Sequence, residues 1–147
     1  HVGLWSMHLG MQFDNLEAFE PVPAFQECWS ANMRERIWVG SLHGVALGGV
    51  RGRVHMQINP ADTGDTHVVK AAGAKTIEVE MTPLDDHGIT DADFIKIDCE
   101  GFELDVLVGG RQGNHRRRAV AQGSDGTTGR ATAQGHHAKE IGCLRTY

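Results

Sequence analysis

No run of apolar residues in this chain of 147 approaches the roughly 20 needed to span a bilayer. No basic-then-apolar signal peptide opens it either. Cysteine is scarce, and Cys28, Cys99 and Cys143 are odd in number and widely spaced. Without a Cys-x-x-Cys pair there is no sign of a zinc ribbon or a redox site, so a reducing, cytoplasmic compartment is expected. Prolines number only 4, beside 19 glycines, 40% hydrophobic and 22% charged residues, which excludes a collagen, a coiled coil and a wholly disordered chain. The 9 histidines are scattered, with only His136 and His137 adjacent, so polar surface accounts for them better than metal ligation.

What is present suits one domain able to bury about two-thirds of the surface of its unfolded chain. The chain opens at His1, already inside a helix-like apolar pattern, and is expected to be a fragment of a longer protein. Its net charge of −5 hides an asymmetry. Residues 1–110 carry 17 acidic and 7 basic side chains, whereas residues 111–147 carry 2 acidic and 7 basic. The acidic body argues against binding a phosphate backbone. The run Arg116, Arg117, Arg118 is better read as a solvated face than as a nucleic-acid contact.

Leu4, Trp5, Met7, His8, Leu9 and Met11 mark an amphipathic helix. Residues 16–19 form a short apolar strand ending in Glu20, and Pro23 suits the first turn of the helix that follows. Phe25, Cys28, Trp29 and Met33 share a helical face. A strand is expected at Ile37, Trp38 and Val39, closed by Gly40 and Ser41. Val54, Met56 and Ile58, and then Ile77 and Val79, alternate with polar residues, the pattern of antiparallel strands with one wet face. Turn chemistry fills residues 59–65. Residues 94–97 form an apolar strand that runs through Asp98, Cys99, Glu100 and Gly101 into a helix. Leu104, Leu107 and Val108 are expected to share one face of that helix, and Gly109 and Gly110 to stop it. Strands and helices alternating at this spacing indicate an α/β fold with a mostly parallel sheet. After Gly110 large apolar side chains nearly vanish, so residues 1–110 are expected to form the domain and residues 111–147 a poorly structured basic tail.

Ligands in open α/β sheets bind outside the carboxyl ends of the strands. Two places qualify. Glu20, at a strand end, suits either the hydroxyls of a ribose or a helix start. Asp98 and Glu100, on a strand-to-helix turn, suit either a substrate hydroxyl, as positioner or base, or a helix cap.

Taken in order, Val2-Gly3-Leu4-Trp5-Ser6, Phe19-Glu20-Pro21-Val22-Pro23, Val45-Ala46-Leu47-Gly48, Pro83-Leu84-Asp85-Asp86 and the stretch from Ile95 to Glu103 resemble FkbM-type methyltransferases over residues 1–112. The resemblance implies a Rossmann-like, doubly wound sheet of the class I methyltransferase kind, incomplete here at both ends. It implies S-adenosyl-L-methionine as cofactor and transfer to a hydroxyl, often of a sugar, on a small-molecule or glycan acceptor. It assigns Gly3 to the loop approached by the methionine part of the cofactor, Glu20 to the ribose hydroxyls, and Val45 and Ala46 to the flank of the adenine. Asp98 and Glu100 match the acidic pair facing the transferred methyl, Asp98 within reach of the cofactor as well. Asn59, Thr63, Gly64 and Asp65 match an insertion near the substrate opening.

The departures are specific. In the family a strand and an acidic glycine turn precede Gly3, and that strand lies between the strands ending at Glu20 and Asp98. Without it both neighbours would lack hydrogen-bond partners on that side. The family's hydrophobic strand after Gly110 has no counterpart in composition, as if the tail were out of frame or a divergent end. The alternative function is therefore a catalytically inactive remnant serving as a binding or scaffold module. A nicotinamide-dependent oxidoreductase would also place an acid on a ribose, but the stretch from Lys96 to Glu103 fits a methyltransferase far better.

Overall fold

The computed structural model describes residues 2–35, 39–90, 92–99 and 101–112, together with the backbone of 119–122, 128–129 and 139–143. Among the described residues, helices α1 (Leu4–Leu9), α2 (Pro23–Met33) and α3 (Glu103–Gly109) accompany ten strands and one 3₁₀ turn (Leu84–His87). The strands are β1 (Asn15–Phe19), β2 (Gly40–His43), β3 (Ala46–Leu47), β4 (Gly52–Gln57), β5 (His67–Val69), β6 (Thr76–Thr82), β7 (Ile95–Ile97), β8 (Ala119–Gln122), β9 (Thr128–Gly129) and β10 (Lys139–Cys143). They form two sheets, so the fold is mixed α/β. One sheet runs β2-β1-β10-β7-β8-β9, and the other β3-β6-β4-β5.

In the first sheet β2, β1, β10, β7 and β8 are all parallel, and only β9 runs against its neighbour. Successive strand side chains point to opposite faces, and β1 uses both. Leu16 and Ala18 meet Trp29 and Met33 of α2, with Met7 of α1 against them. Phe19 turns the other way, into a core with Leu84, Ile95, Ile97 and Val106. Helical segments thus cover both faces of the parallel strands, the burial such sheets require. The second sheet is largely antiparallel, Val54 opposite Val79 and His55 opposite Glu78. Its Met56, Val79 and Met81 pack on Val22, Phe25 and Ala46, while Glu78 and Glu80 stay exposed.

Several expectations shift. The strand after α2 is Gly40–His43 rather than 37–39, of which Ile37 and Trp38 lie outside the described residues. Gly40 begins that strand instead of stopping it. Its φ is 147°, and a Cβ there would lie 1.7 Å from the Leu16 carbonyl oxygen, so only glycine lets β2 close on β1. On α3 the buried positions are Val106 and Gly109, with Leu107 half-buried and Leu104 72% exposed, because Val106 is the side chain turned to the Phe19 core. The short β5 has no counterpart in the sequence reading. Most of residues 111–147 lies outside the described residues. The strands described there, in backbone only, include β10, which occupies the position between β1 and β7 in register with both (Phe19 with Cys143, Cys143 with Ile97).

At the carboxyl ends of β1 and β2, aromatic rings and acids interlock. His43 stacks on Phe19 with centroids 4.5 Å apart, and its Nε2 is 2.8 Å from Glu17 Oε2. His87 stands edge-on to both Phe19 and His43, and Thr82 Oγ1 lies 2.8 Å from its Nε2. Burial, first, and then the neighbouring His43 hold His87 below its ordinary pKa of 6.5, and Arg51 acts the same way, against opposing pulls from Asp86 and Glu17.

Two predictions follow from this packing. Gly40→Ala should cost roughly 1–3 kcal/mol, the range for a strained backbone position, measurable as a lowered denaturation midpoint. The unfolded chain protonates His87 near 6.5 and the folded chain only at lower pH, so over that interval the unfolded state binds more protons. Unfolding free energy should therefore fall as pH drops below 6.5, and His87→Gln should flatten that slope in denaturant titrations at stepped pH.

Candidate functional site

Parallel strands in one sheet bring their carboxyl ends to a common edge, where ligands of such sheets bind. Glu20 directly follows β1 and Asp98 directly follows β7. With one strand between them, the two strand ends lie about 10 Å apart across the sheet.

Glu20 is 5% exposed. Val22 N–H donates to its Oε1 at 2.8 Å, and the Gln26 amide donates to its backbone carbonyl at 2.8 Å. The carboxylate is thereby tied to the proline loop that starts α2, where Val22 is extended and Pro23 takes the first helical position. Beside this loop lies a depression of about 400 Å³ between Pro21, Pro23, Gln26 and Gly44 on one side and residues 77–80 of β6 on the other.

Asp98 accepts a hydrogen bond from Lys96 Nζ at 2.8 Å, and the two side chains are 10% and 5% exposed. The same ammonium lies 5.0 Å from the ring centroid of Trp5 on α1. Sequence reasoning missed Lys96. The available signal was a lone cation inside an apolar strand, two residues from an acid and so on the same face. Glu100 lies outside the described residues. A neighbouring acid satisfies the turn: Glu103 Oε1 accepts from Cys99 N–H at 3.1 Å and from Gly101 N–H at 3.2 Å. Gly101 has φ of 89°, which carries the chain sharply from β7 into α3.

Gly3 heads α1 with φ of 87°. A Cβ at this position would lie 2.8 Å from Trp29 Cδ1, so the glycine is demanded by α2 as well as by the turn. The next turn is pinned by Trp29 Nε1–H donating to the fully buried Ser6 Oγ at 2.9 Å. Val45 and Ala46 diverge. Ala46, in β3 of the second sheet, is buried with Val22 in that sheet's core, and Val45 packs on the Phe19 core. Asn59 and Asp62 shape their loop by accepting from Ala61 N–H and Gly64 N–H, each at 3.1 Å. Among the described residues no group of three or more His, Cys, Asp or Glu is placed to hold a metal ion, and no helix is long and apolar enough to cross a membrane.

The carboxyl edge of one parallel sheet therefore carries Glu20 and Asp98, the latter bonded to Lys96, while Glu17, His43 and His87 cluster around Phe19. Comparison with curated proteins and with solved structures gave no match. Against family models, residues 8–122 match the methyltransferase FkbM domain. The match spans β1 with Glu20, the second sheet, β7 with Asp98, and β8. The chain belongs to the FkbM methyltransferase domain family.

Proposed function

We propose that this chain is part of an S-adenosylmethionine-dependent methyltransferase that transfers its methyl group to a hydroxyl, such as that of a sugar, on a Rossmann-like, doubly wound sheet of which this is a fragment. The observation that carries the reading is the pair of carboxylates, Glu20 and Asp98, at the carboxyl ends of parallel strands that flank the middle of one sheet.

The chemistry of the residues fits that cofactor. Glu20, buried and oriented by Val22, is an acceptor for two ribose hydroxyls. The Gly3 turn lets backbone approach the methionine portion closely. Asp98 is an acceptor for its ammonium, and Val45 and Ala46 are apolar neighbours for the adenine. When bound, the cofactor supplies an activated methyl on a sulfonium. This chain's part is alignment and proton handling. Holding the acceptor oxygen in line with the methyl removes much of the entropic barrier. A neutral hydroxyl is a poor nucleophile, so Asp98 or Glu100 would accept its proton as the oxygen–methyl bond forms and the sulfur–methyl bond breaks, the cofactor leaving as a neutral thioether.

A second reading, a catalytically inactive remnant, draws on the internal engagement of both acids, Glu20 by Val22 and Asp98 by Lys96. Titration calorimetry with S-adenosylhomocysteine separates the two, since a remnant of that kind binds neither cofactor nor product. In the proposed enzyme Glu20→Ala should weaken binding by about 1.5–3 kcal/mol, the range for a hydrogen bond to a charged group. Unchanged affinity in that variant would remove Glu20 from the site. In a full-length enzyme carrying this domain, loss of the base through Glu100→Gln should slow turnover by about 10²–10⁴ with cofactor affinity kept, whereas Asp98→Asn should lower both turnover and cofactor affinity. Full turnover in both variants would make the acids structural.

A further inference from the structure

We propose that Lys96 is a positioning residue of the methyl-donor site, fixing the Asp98 carboxylate and docking the helix that begins at Gly3 against it. The proposal rests on the reading of Asp98 as a donor contact.

Lys96 sits in β7 between Ile95 and Ile97, each 1% exposed, and is itself 4% exposed. Taking an ammonium out of water costs several kcal/mol unless a partner compensates. Two partners are in place. Alternation along the strand puts Asp98 on the same face as Lys96, and its Oδ2 accepts from Nζ at 2.8 Å. The Trp5 ring lies with its centroid 5.0 Å from Nζ, within cation–π range.

Stability alone does not call for such a pair, because well-packed apolar residues in its place are often as stable or more so. The three groups connect two segments that are far apart in sequence and both assigned to the donor. Trp5 lies two residues after the Gly3 turn, on a helix of only six residues. Ser6 is held by Trp29 on one side, and the Trp5–Lys96 contact supplies the other. Lys96 thus sets the carboxylate of β7 and the entry to α1 in one arrangement. The ammonium donates and Asp98 accepts, so the carboxylate orientation depends on Lys96 Nζ.

The test is calorimetric titration of the whole chain with S-adenosylhomocysteine, with circular dichroism and cooperative unfolding as controls for folding. Lys96→Met should weaken binding about 10–150-fold, the fold-change for loss of a charged hydrogen bond. Lys96→Arg, which restores a donor cation, should recover most of it. Asp98→Asn combined with Lys96→Met should bind weaker than Asp98→Asn alone by no more than the roughly 2–5-fold of the Trp5 contact, because the rest of the Lys96 effect acts through Asp98. Trp5→Leu, at a position 37% exposed and so tolerant of change, should weaken binding roughly 2–5-fold. It reads the proposal even where Lys96→Met does not fold. Wild-type affinity in Lys96→Met or in Trp5→Leu, or additive losses in the double variant, would overturn the role of Lys96 while leaving Asp98 in place. An unaltered chain that binds no S-adenosylhomocysteine, or an Asp98→Asn variant with undiminished affinity, would instead overturn the donor reading on which it rests.

Discussion

Everything at the candidate site depends on what lies between β1 and β7. Both strands are buried, and a buried strand must pair its backbone N–H and C=O groups on both sides. The position between them is filled by β10, parallel to each, with Ala18 opposite Gly142 and Gly142 opposite Lys96. This one strand fixes the separation and relative register of the two neighbours. Through them it fixes where Glu20 and Asp98 emerge. A slip in this ladder would move the two carboxylates relative to one another.

The two sheets divide the labour. The parallel sheet, covered on both faces, holds the acids and Lys96, and Gly3 heads a helix that packs on it. The antiparallel sheet contributes a buried face of Met56, Val79 and Met81 beneath the Glu20 loop and an exposed face that includes Glu78 and Glu80. Val22 joins them, since its N–H holds the Glu20 carboxylate while its side chain packs in the core of the second sheet. A shift in that packing moves the carboxylate directly.

Much of this was legible in the sequence. Period-2 alternation located β4 and β6, and Pro23 located the start of α2, because these signals arise within a few residues of chain. Glu20 and Asp98 stood out as acids at strand ends. The rest depends on distant contacts. Gly40 resembles a stop signal until the Leu16 carbonyl is seen where its Cβ would go. The buried side of α3 was misjudged because Val106 and Leu104 are equally apolar and only the position of Phe19 decides between them. Lys96 gains meaning from Trp5, 91 positions away. For β10 the pairing is made by backbone groups every residue carries, so composition says little about it.

The most direct test of this account is amide hydrogen exchange across residues 139–143 of the native chain, read against residues 16–19 of β1. A strand bonded on both sides opens only when the sheet does. The account predicts protection at Ile141, Gly142 and Cys143 close to that of β1. Exchange there at open-chain rates, while residues 16–19 remain protected, would show that β10 does not hold the middle of the sheet.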